Sequence, residues 1–240
     1  KIIVVAFSGG VDSSVLGFLA KKYGKKTILV TGDSISVPGG ELSCSEVFAR
    51  EIDVEHYIIE TKEMDNEQFV KNPHDRCHYC KIELARVIQE VAEQNKADLM
   101  VEGTNYTDVE SNDYRPGYKA MNTQGIISPL VEAKITKSEI RKIATHFDLS
   151  ISEKPATACL SSRIPYGIEI TKERLQRVDK AEQFLKTIFG IEVVRVRDHD
   201  GIARIEIAPD ELSKVIFSDN HNNALEAFNS IHTELILLGF

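Results

Sequence analysis

The segment Ser8-Gly9-Gly10-Val11-Asp12-Ser13-Ser14 constrains this chain more than any other. It directly follows Ile2–Phe7, a short apolar run rich in β-branched residues, which suits a strand buried on both faces of a parallel sheet. It opens Val11–Tyr23, which reads as a helix. A strand that breaks through two glycines into a helix makes an anion cradle. The glycines let backbone N–H groups approach the anion, and the helix N-terminus adds partial positive charge. Ser8, Ser13 and Ser14 can add hydroxyl donors, and Asp12 fits beside an anion when Mg²⁺ bridges it to phosphate. No Gly-Lys-Ser/Thr follows, so this is not a Walker A loop. The bland alternative is a Ser/Gly turn with a serine cap.

The next segments extend the same architecture. Thr27–Thr31, Glu55–Glu60 and Ala97–Glu102 read as strands, with Gly125–Ser128 a shorter candidate. Ser43–Glu51 reads as a helix, and Lys81–Gln94 as a patterned one with Leu84, Val87, Ile88 and Val91 on one face. Thr136–Phe147 is a helix opened by Thr136 and Glu139 at capping-box spacing. Strands alternating with helices imply an α/β fold, a parallel sheet covered on both sides. Thr31-Gly32-Asp33-Ser34 and Gly103-Thr104-Asn105 with Asp108 follow the second and fourth strands, at the carboxyl edge where open α/β sheets bind ligands.

The pattern changes after about Leu149. We expect a first domain over 1–150, a linker over 151–170 punctuated by Pro155 and Pro165, and a smaller α+β domain over 171–240. In the last, Thr171–Phe189 is a helix, Glu192–Arg197 and Ala203–Ile207 are strands around a turn, and helices follow near Asp210–Ile216 and Asn223–Leu235. The start at Lys1 and the stop after Leu238-Gly239-Phe240 are expected to be trimmed ends.

Composition removes several function classes. Lys plus Arg number 29 against 37 Asp plus Glu, a net charge of −8, which argues against a broad nucleic-acid surface. An anionic ligand must therefore be held by local groups. No apolar run reaches the ~20 residues of a membrane span, and no secretory leader is expected. Four cysteines in 240 residues fall far below disulfide-scaffold density, so a reducing, cytoplasmic setting is expected.

Those cysteines bear on the chemistry. Arg76-Cys77-His78-Tyr79-Cys80 holds a C-x-x-C pair, suited to one metal or one cluster edge. Cys159 supplies a third thiolate, which favours a cluster; zinc would recruit His74 as a fourth ligand, and unliganded or redox cysteines are the remaining readings. Cys159 lies among small residues, four positions before Arg163, as suits a reactive thiolate near an anion. Cys44 is expected to be buried as a small apolar residue. Arg195 and Arg197 alternate along one strand, so both project to one face, where they repel unless an anion or carboxylate lies between them. A solvated strand face with acidic partners is the bland reading of that pair.

The Ser8–Ser14 loop resembles the PP-loop of the ATP pyrophosphatase superfamily, whose parallel-sheet fold is similar to adenine-nucleotide α-hydrolases. With Ala158-Cys159-Leu160-Ser161-Ser162-Arg163-Ile164-Pro165-Tyr166-Gly167 and Arg195-Val196-Arg197, the chain resembles the LarE family over nearly its whole length. That resemblance implies an ATP-dependent sulfurtransferase. It adenylates a carboxylate of pyridinium-3,5-biscarboxylic acid mononucleotide, then forms a thiocarboxylate for the nickel-pincer cofactor of lactate racemase. It implies ATP with Mg²⁺ at Ser8, Gly9, Gly10, Val11, Asp12, Ser13, Ser14, Asp33, Gly103, Thr104, Ser162 and Arg163. Substrate would be held by Arg163, Arg195 and Arg197, and catalysis would rest on Asp12 and Cys159.

LarE enzymes with a lone cysteine at the Cys159 position sacrifice its sulfur. The chain departs from them at Cys77 and Cys80 and is similar to the subgroup whose three cysteines hold a [4Fe-4S] cluster, to which sulfide or another sulfur donor adds. The resemblance further implies a trimer-based hexamer, and Glu182 matches an acidic family position at the subunit interface. A tRNA thiolation enzyme and an amidotransferase-type ligase with structural zinc are the competing classes; the acidic net charge disfavours the first, and metal content separates the second.

Overall fold

In the computed structural model, residues 1–110, 114–216 and 224–240 are described. The chain divides into two units: Lys1–Phe69 with Pro73–Ala156, and Val70–Asn72 with Thr157–Phe240. The segment expected as a linker over 151–170 is thus shared between them.

The first unit alternates strands and helices. β1 (Ile2–Ala6), α1 (Val11–Tyr23), β2 (Lys26–Asp33), α2 (Glu41–Glu51) and β3 (Glu55–Glu60) come first. The short α3 (Glu67–Val70), the long α4 (Arg76–Gln94) and β4 (Leu99–Glu102) follow. The unit then runs through α5 (Tyr106–Glu110), α6 (Pro116–Thr123), α7 (Pro129–Glu132) and α8 (Lys137–His146). All sheet pairings are parallel, in the order β3-β2-β1-β4. Adjacent β1 residues serve opposite layers. Val5, with Leu29 and Val101, packs with residues of α1, α2 and α8. Val4 and Ala6, with Ile28 and Val30, pack with α4 and α6. Burial on both faces is why β1 reads as a continuous apolar run rather than an alternating one.

The predicted bounds of α1 and β3 agree with the structure, and α8 carries the full Thr136–Glu139 capping box. Three readings need correction. The helix expected from Lys81 begins at Arg76, so Cys77 and Cys80 lie on its first turn. Gly125–Ser128 forms no strand: Ile127 makes a single parallel bridge to Val101, and Pro129 then starts α7. Cys44 is exposed, because the inward face of α2 is taken by Ser45, Phe48 and Ala49.

The second unit contains α9 (Lys172–Phe189), the antiparallel pair β5 (Val194–Asp198) and β6 (Ala203–Ile207), α10 (Leu212–Ile216) and α11 (Ala224–Leu237). The expected start of the last helix, Asn223, lies outside the described residues. Thr171 caps α9 by accepting from the Arg174 amide, and Gly190 ends it at φ +62°, where a side chain would be strained. Ala181, Leu185, Phe189, Val194 and Val196 form the core. The piece Val70–Asn72 is tied to this unit by hydrogen bonds. The Asn72 side-chain amide donates to the carbonyls of Ile164 (3.2 Å), Pro165 (2.8 Å) and Ile168 (2.9 Å), and its own carbonyl accepts from Gly167 N–H at 3.0 Å.

Candidate active site

The sheet order locates the binding edge of the first unit. From β1 the chain moves outward through β2 to β3, then crosses to β4 on the other side of β1. The topological switch point therefore lies between β1 and β4, and their carboxyl ends flank the expected crevice. Both strands end in glycine-bearing loops there.

The loop after β1 is built around Gly9, at φ +71°, and Gly10, the N-cap of α1. Ser13 Oγ closes the loop on itself, donating to the Gly10 carbonyl at 3.1 Å, accepting from Ser8 N–H at 3.2 Å and lying 3.1 Å from Ser8 Oγ. Ser14 is fully buried and its hydroxyl has no partner. Ser8 is exposed, whereas Ser13 and Ser14 belong to the helix wall. Gly103 is the point of closest approach: a Cβ there would lie 2.8 Å from Ser13 N and 3.2 Å from the Asp12 carbonyl carbon. Only glycine lets the β4 loop seat against the start of α1.

Asp12 has two differently placed oxygens. Oδ2 accepts from Lys137 Nζ at 2.6 Å, whereas Oδ1 is buried without a partner. A carboxylate oxygen in that condition fits a divalent cation beside the cradle. A second ammonium, Lys154 Nζ, donates to the Gly9 carbonyl at 3.0 Å and to Glu41 at 2.9 Å. Sequence reasoning missed both lysines. Lys137 follows the Thr136 cap, so its place at a helix start was legible, but nothing local linked it to Asp12.

The neighbouring strand ends are also tied down. Thr31 Oγ1 donates to the Phe7 carbonyl at 2.7 Å and lies 2.8 Å from His56 Nε2. Since that hydroxyl proton is used on Phe7, His56 donates from Nε2. Burial pushes His56 below the ordinary histidine range, with the negative charge of Glu46 opposing. Thr104 donates both N–H (3.1 Å) and hydroxyl (2.8 Å) to buried Glu102, which also accepts from Ser128. Asn105 and Asp108 bond each other at 2.8 Å, and Asp33 is exposed at the end of β2.

Cys77 and Cys80 stand one turn apart on α4, exposed and half-buried. Helix spacing of three puts them on one face, at the end where the macrodipole favours anionic groups. Gly117 on α6 lies against this turn: a Cβ there would meet Lys81 Cγ at 3.0 Å and Cys77 Cβ at 3.7 Å. Among the described residues no group of three or more His, Cys, Asp or Glu is gathered for a metal ion. The donor chemistry of the two thiols fits one edge of a metal or iron–sulfur site.

In the second unit Cys159 is exposed and precedes the 3₁₀ turn Leu160–Arg163. Arg163, expected to contact ATP and substrate, is buried within its own unit. Its side chain is 4% exposed and paired with Glu182, itself 2% exposed. Glu182 is thus engaged inside its own chain rather than held at a surface. Arg195 and Arg197 do share the outward face of β5, since Val194, Val196 and Asp198 take the inward one. Arg197 is partly occupied: Nε donates to Glu206 at 2.7 Å and Nη1 to the Ser162 carbonyl at 3.0 Å. Glu206, which also pairs with Arg204, is pulled down to about 2, chiefly by the Arg197 hydrogen bond with burial opposing. No ion pair engages Arg195 among the described residues.

A parallel sheet with a glycine-serine loop at its switch point and an acidic residue on the following helix defines a PP-loop nucleotide-binding protein. Residues 2–187 match the family described as thiamine biosynthesis protein (ThiI). The chain is 30% identical to pyridinium-3,5-bisthiocarboxylic acid mononucleotide synthase of Lactiplantibacillus plantarum, over 99% of this chain and 86% of that one. It is 37% identical to an uncharacterized protein of Synechocystis sp., over 95% and 84% of the two chains. In structure it is similar to NMN synthetase from Francisella tularensis, with a TM-score of 0.55 at 16% identity, covering 97% of this chain and 86% of that one; this likeness concerns the fold. The chain belongs to the LarE family within the PP-loop class. No helix among the described residues is long and apolar enough to cross a membrane.

Proposed function

We propose that this protein is an ATP-dependent sulfurtransferase acting on pyridinium-3,5-biscarboxylic acid mononucleotide. The reading rests on one observation above the others: a glycine-serine cradle whose aspartate keeps one oxygen buried and unpartnered, beside two ammonium groups. Asp12 would hold Mg²⁺, which when bound supplies charge neutralisation for the polyphosphate. The loop N–H groups and the start of α1 stabilise charge on the α-phosphoryl group as a substrate carboxylate oxygen attacks it and pyrophosphate departs. The product is an acyl-adenylate. A sulfur nucleophile then bonds to the acyl carbon, and AMP leaves in place of a far poorer oxide. Lys137 and Lys154 can turn from Asp12 and Glu41 toward the incoming phosphates. Arg195 and the remaining donors of Arg197 bind the substrate's anionic groups.

Cys77, Cys80 and Cys159 would hold a [4Fe-4S] cluster, which when bound supplies an iron without a protein ligand that can carry sulfide. Two facts support this ligand set. The thiols of the pair stand three residues apart on one face of α4, and that helix begins at Arg76, four residues after Asn72, which belongs with Cys159 to the second unit. Assembly as a trimer-based hexamer in the cytoplasm belongs to the same reading and is checked by analytical ultracentrifugation.

The deciding experiment is substrate-dependent ATP–pyrophosphate exchange in wild type and Asp12→Ala, with circular dichroism as the fold control. Exchange should vanish in the variant while the fold survives. Unchanged exchange would remove the cradle from the mechanism. Anaerobic purification with iron, sulfide and zinc quantification tests the cluster: each of Cys77→Ala, Cys80→Ala and Cys159→Ala should lose iron and sulfide yet keep exchange, and Cys44→Ala should lose neither. Zinc instead of iron, or conversion of Cys159 to dehydroalanine after one turnover, overturns the cluster reading.

A further inference from the structure

The second unit spends an unusual amount of buried charge on one exposed cysteine. Arg163 and Glu182 form an ion pair with side chains 4% and 2% exposed. Such pairs lose desolvation energy and add little net stability against an apolar replacement, so what they fix is geometry. Here the geometry is explicit. Glu182 accepts from Arg163 Nε at 2.8 Å and Nη2 at 3.1 Å, a two-point grip on the planar guanidinium. The grip aims Nη1 at three acceptors: the carbonyls of Ala158 (2.9 Å) and Cys159 (3.1 Å) and the Ser162 hydroxyl (3.0 Å). The Cys159 carbonyl also accepts from Ser162 N–H at 3.0 Å and Ser162 Oγ at 2.7 Å. The backbone of Cys159 is therefore held by three donors while its thiol stays exposed.

The same carboxylate reaches the arginine strand. Glu182 Oε1 accepts from Val196 N–H at 3.0 Å, the residue between Arg195 and Arg197. Arg197 Nη1 closes a second route back to the turn through the Ser162 carbonyl. One buried acid thus sets the spacing between the exposed thiol and the two arginines on β5.

We propose that Glu182 is a positioning residue for Cys159, acting through Arg163, and that it also fixes the arginine strand against the cysteine turn. The functional part of this proposal rests on the sulfur-transfer reading; the structural part does not. Both side chains are almost fully buried.

The test is Glu182→Gln. The amide keeps the shape and one acceptor oxygen but points a donor at a donor of Arg163, so the grip fails. Hydrogen–deuterium exchange should rise on the order of tenfold at the Ser162 amide, which bonds the Cys159 carbonyl, while amides of Val178 and Leu185 in α9 keep wild-type protection. The iodoacetamide alkylation rate of Cys159 should change at fixed pH, because the carbonyl that anchors its backbone loses the Arg163 donor. ATP–pyrophosphate exchange should persist, with the kcat of sulfur transfer falling on the order of tenfold and KM for ATP unmoved. Wild-type protection at Ser162 with an unmoved alkylation profile overturns the proposal, and so does an even loss of protection through α9, which marks a purely structural pair. If Glu182→Gln does not fold, Arg163→Lys, which keeps the charge but lacks the fork, should loosen the Ser162 amide in the same way. A wild-type protein that transfers no sulfur yet shows the exchange and alkylation effects would refute the functional reading and leave the positioning role standing.

Discussion

Gly103→Ala probes the contact that seats the two crevice loops together. The added Cβ would lie 2.8 Å from Ser13 N, 3.0 Å from Ser13 Cα and 3.2 Å from the Asp12 carbonyl carbon. These are backbone atoms at the start of a helix and cannot rotate away as a side chain could. To regain ordinary contact, one wall must retreat roughly 0.6 Å, from 2.8 to 3.4 Å. Overpacking of this kind costs ~1–3 kcal/mol. For a chain of this size that corresponds to a fall in Tm of ~2–12 °C. The chemical effect should be larger than the thermal one, because a shift approaching 1 Å in a positioned group can cost ~100-fold in rate. The assay pairs differential scanning fluorimetry with ATP–pyrophosphate exchange. Gly125→Ala is the control: a Cβ there meets nothing within 4 Å, though φ is +77°. It should cost stability through backbone strain alone and leave exchange intact. Wild-type exchange in Gly103→Ala would show that the loops are not held by this contact.

Lys137→Ala removes the 2.6 Å ammonium from Asp12, a partly exposed pair worth no more than ~1 kcal/mol, so Tm should barely move while KM for ATP rises about tenfold; an unchanged KM would sink its assignment to the phosphates. Charge reversal at Arg195 or Arg197 should weaken substrate binding by ~2 kcal/mol or more and ATP binding far less, read by titration calorimetry; equal losses would point to a different role. Arg195→Glu should leave Tm intact, whereas Arg197→Glu should lower it, because only Arg197 holds the Ser162 carbonyl. For Glu206 the folded value of about 2 lies below the ordinary carboxylate range, so its stabilising contribution is present above that range and is lost as pH falls toward 2. Glu206→Gln should flatten the fall in Tm over that window; an identical pH slope would count against the Arg197–Glu206 pair.

Sequence pattern revealed elements where one force dominated. β1 is buried on both faces, and α1 starts where two glycines end a strand, so both were legible. The first turn of α4 was not, because Arg76-Cys77-His78-Tyr79-Cys80 lacks the apolar spacing that marks the helix after Lys81. Cys44 was misread because residue type alone does not tell which helix face it occupies. Ser8, Asp12 and Gly103 could be found from local motifs at strand ends. The lysines on Asp12 and Gly9 could not, being 125 and 145 residues away from their partners. The Arg163–Glu182 pair likewise crosses from a 3₁₀ turn to a helix, and neither segment alone signals the other.

The three residues Val70–Asn72 change how this molecule can come into being. The hydrogen bonds of Asn72 close loops of 92 to 96 residues, and the segment enclosed includes Pro73–Ala156, the larger of the two stretches of the first unit. On a growing chain the second unit therefore lacks one of its pieces unless that piece, synthesised long before, is recaptured when Ile164–Ile168 emerge. Contacts of such separation form late and slowly. The two units should then unfold in a single transition rather than two, and a gene fragment beginning at Thr157 encodes an unfinished fold. Duplication or exchange of this unit between proteins must carry both stretches of chain, which ties its evolutionary history to that of the nucleotide-binding unit.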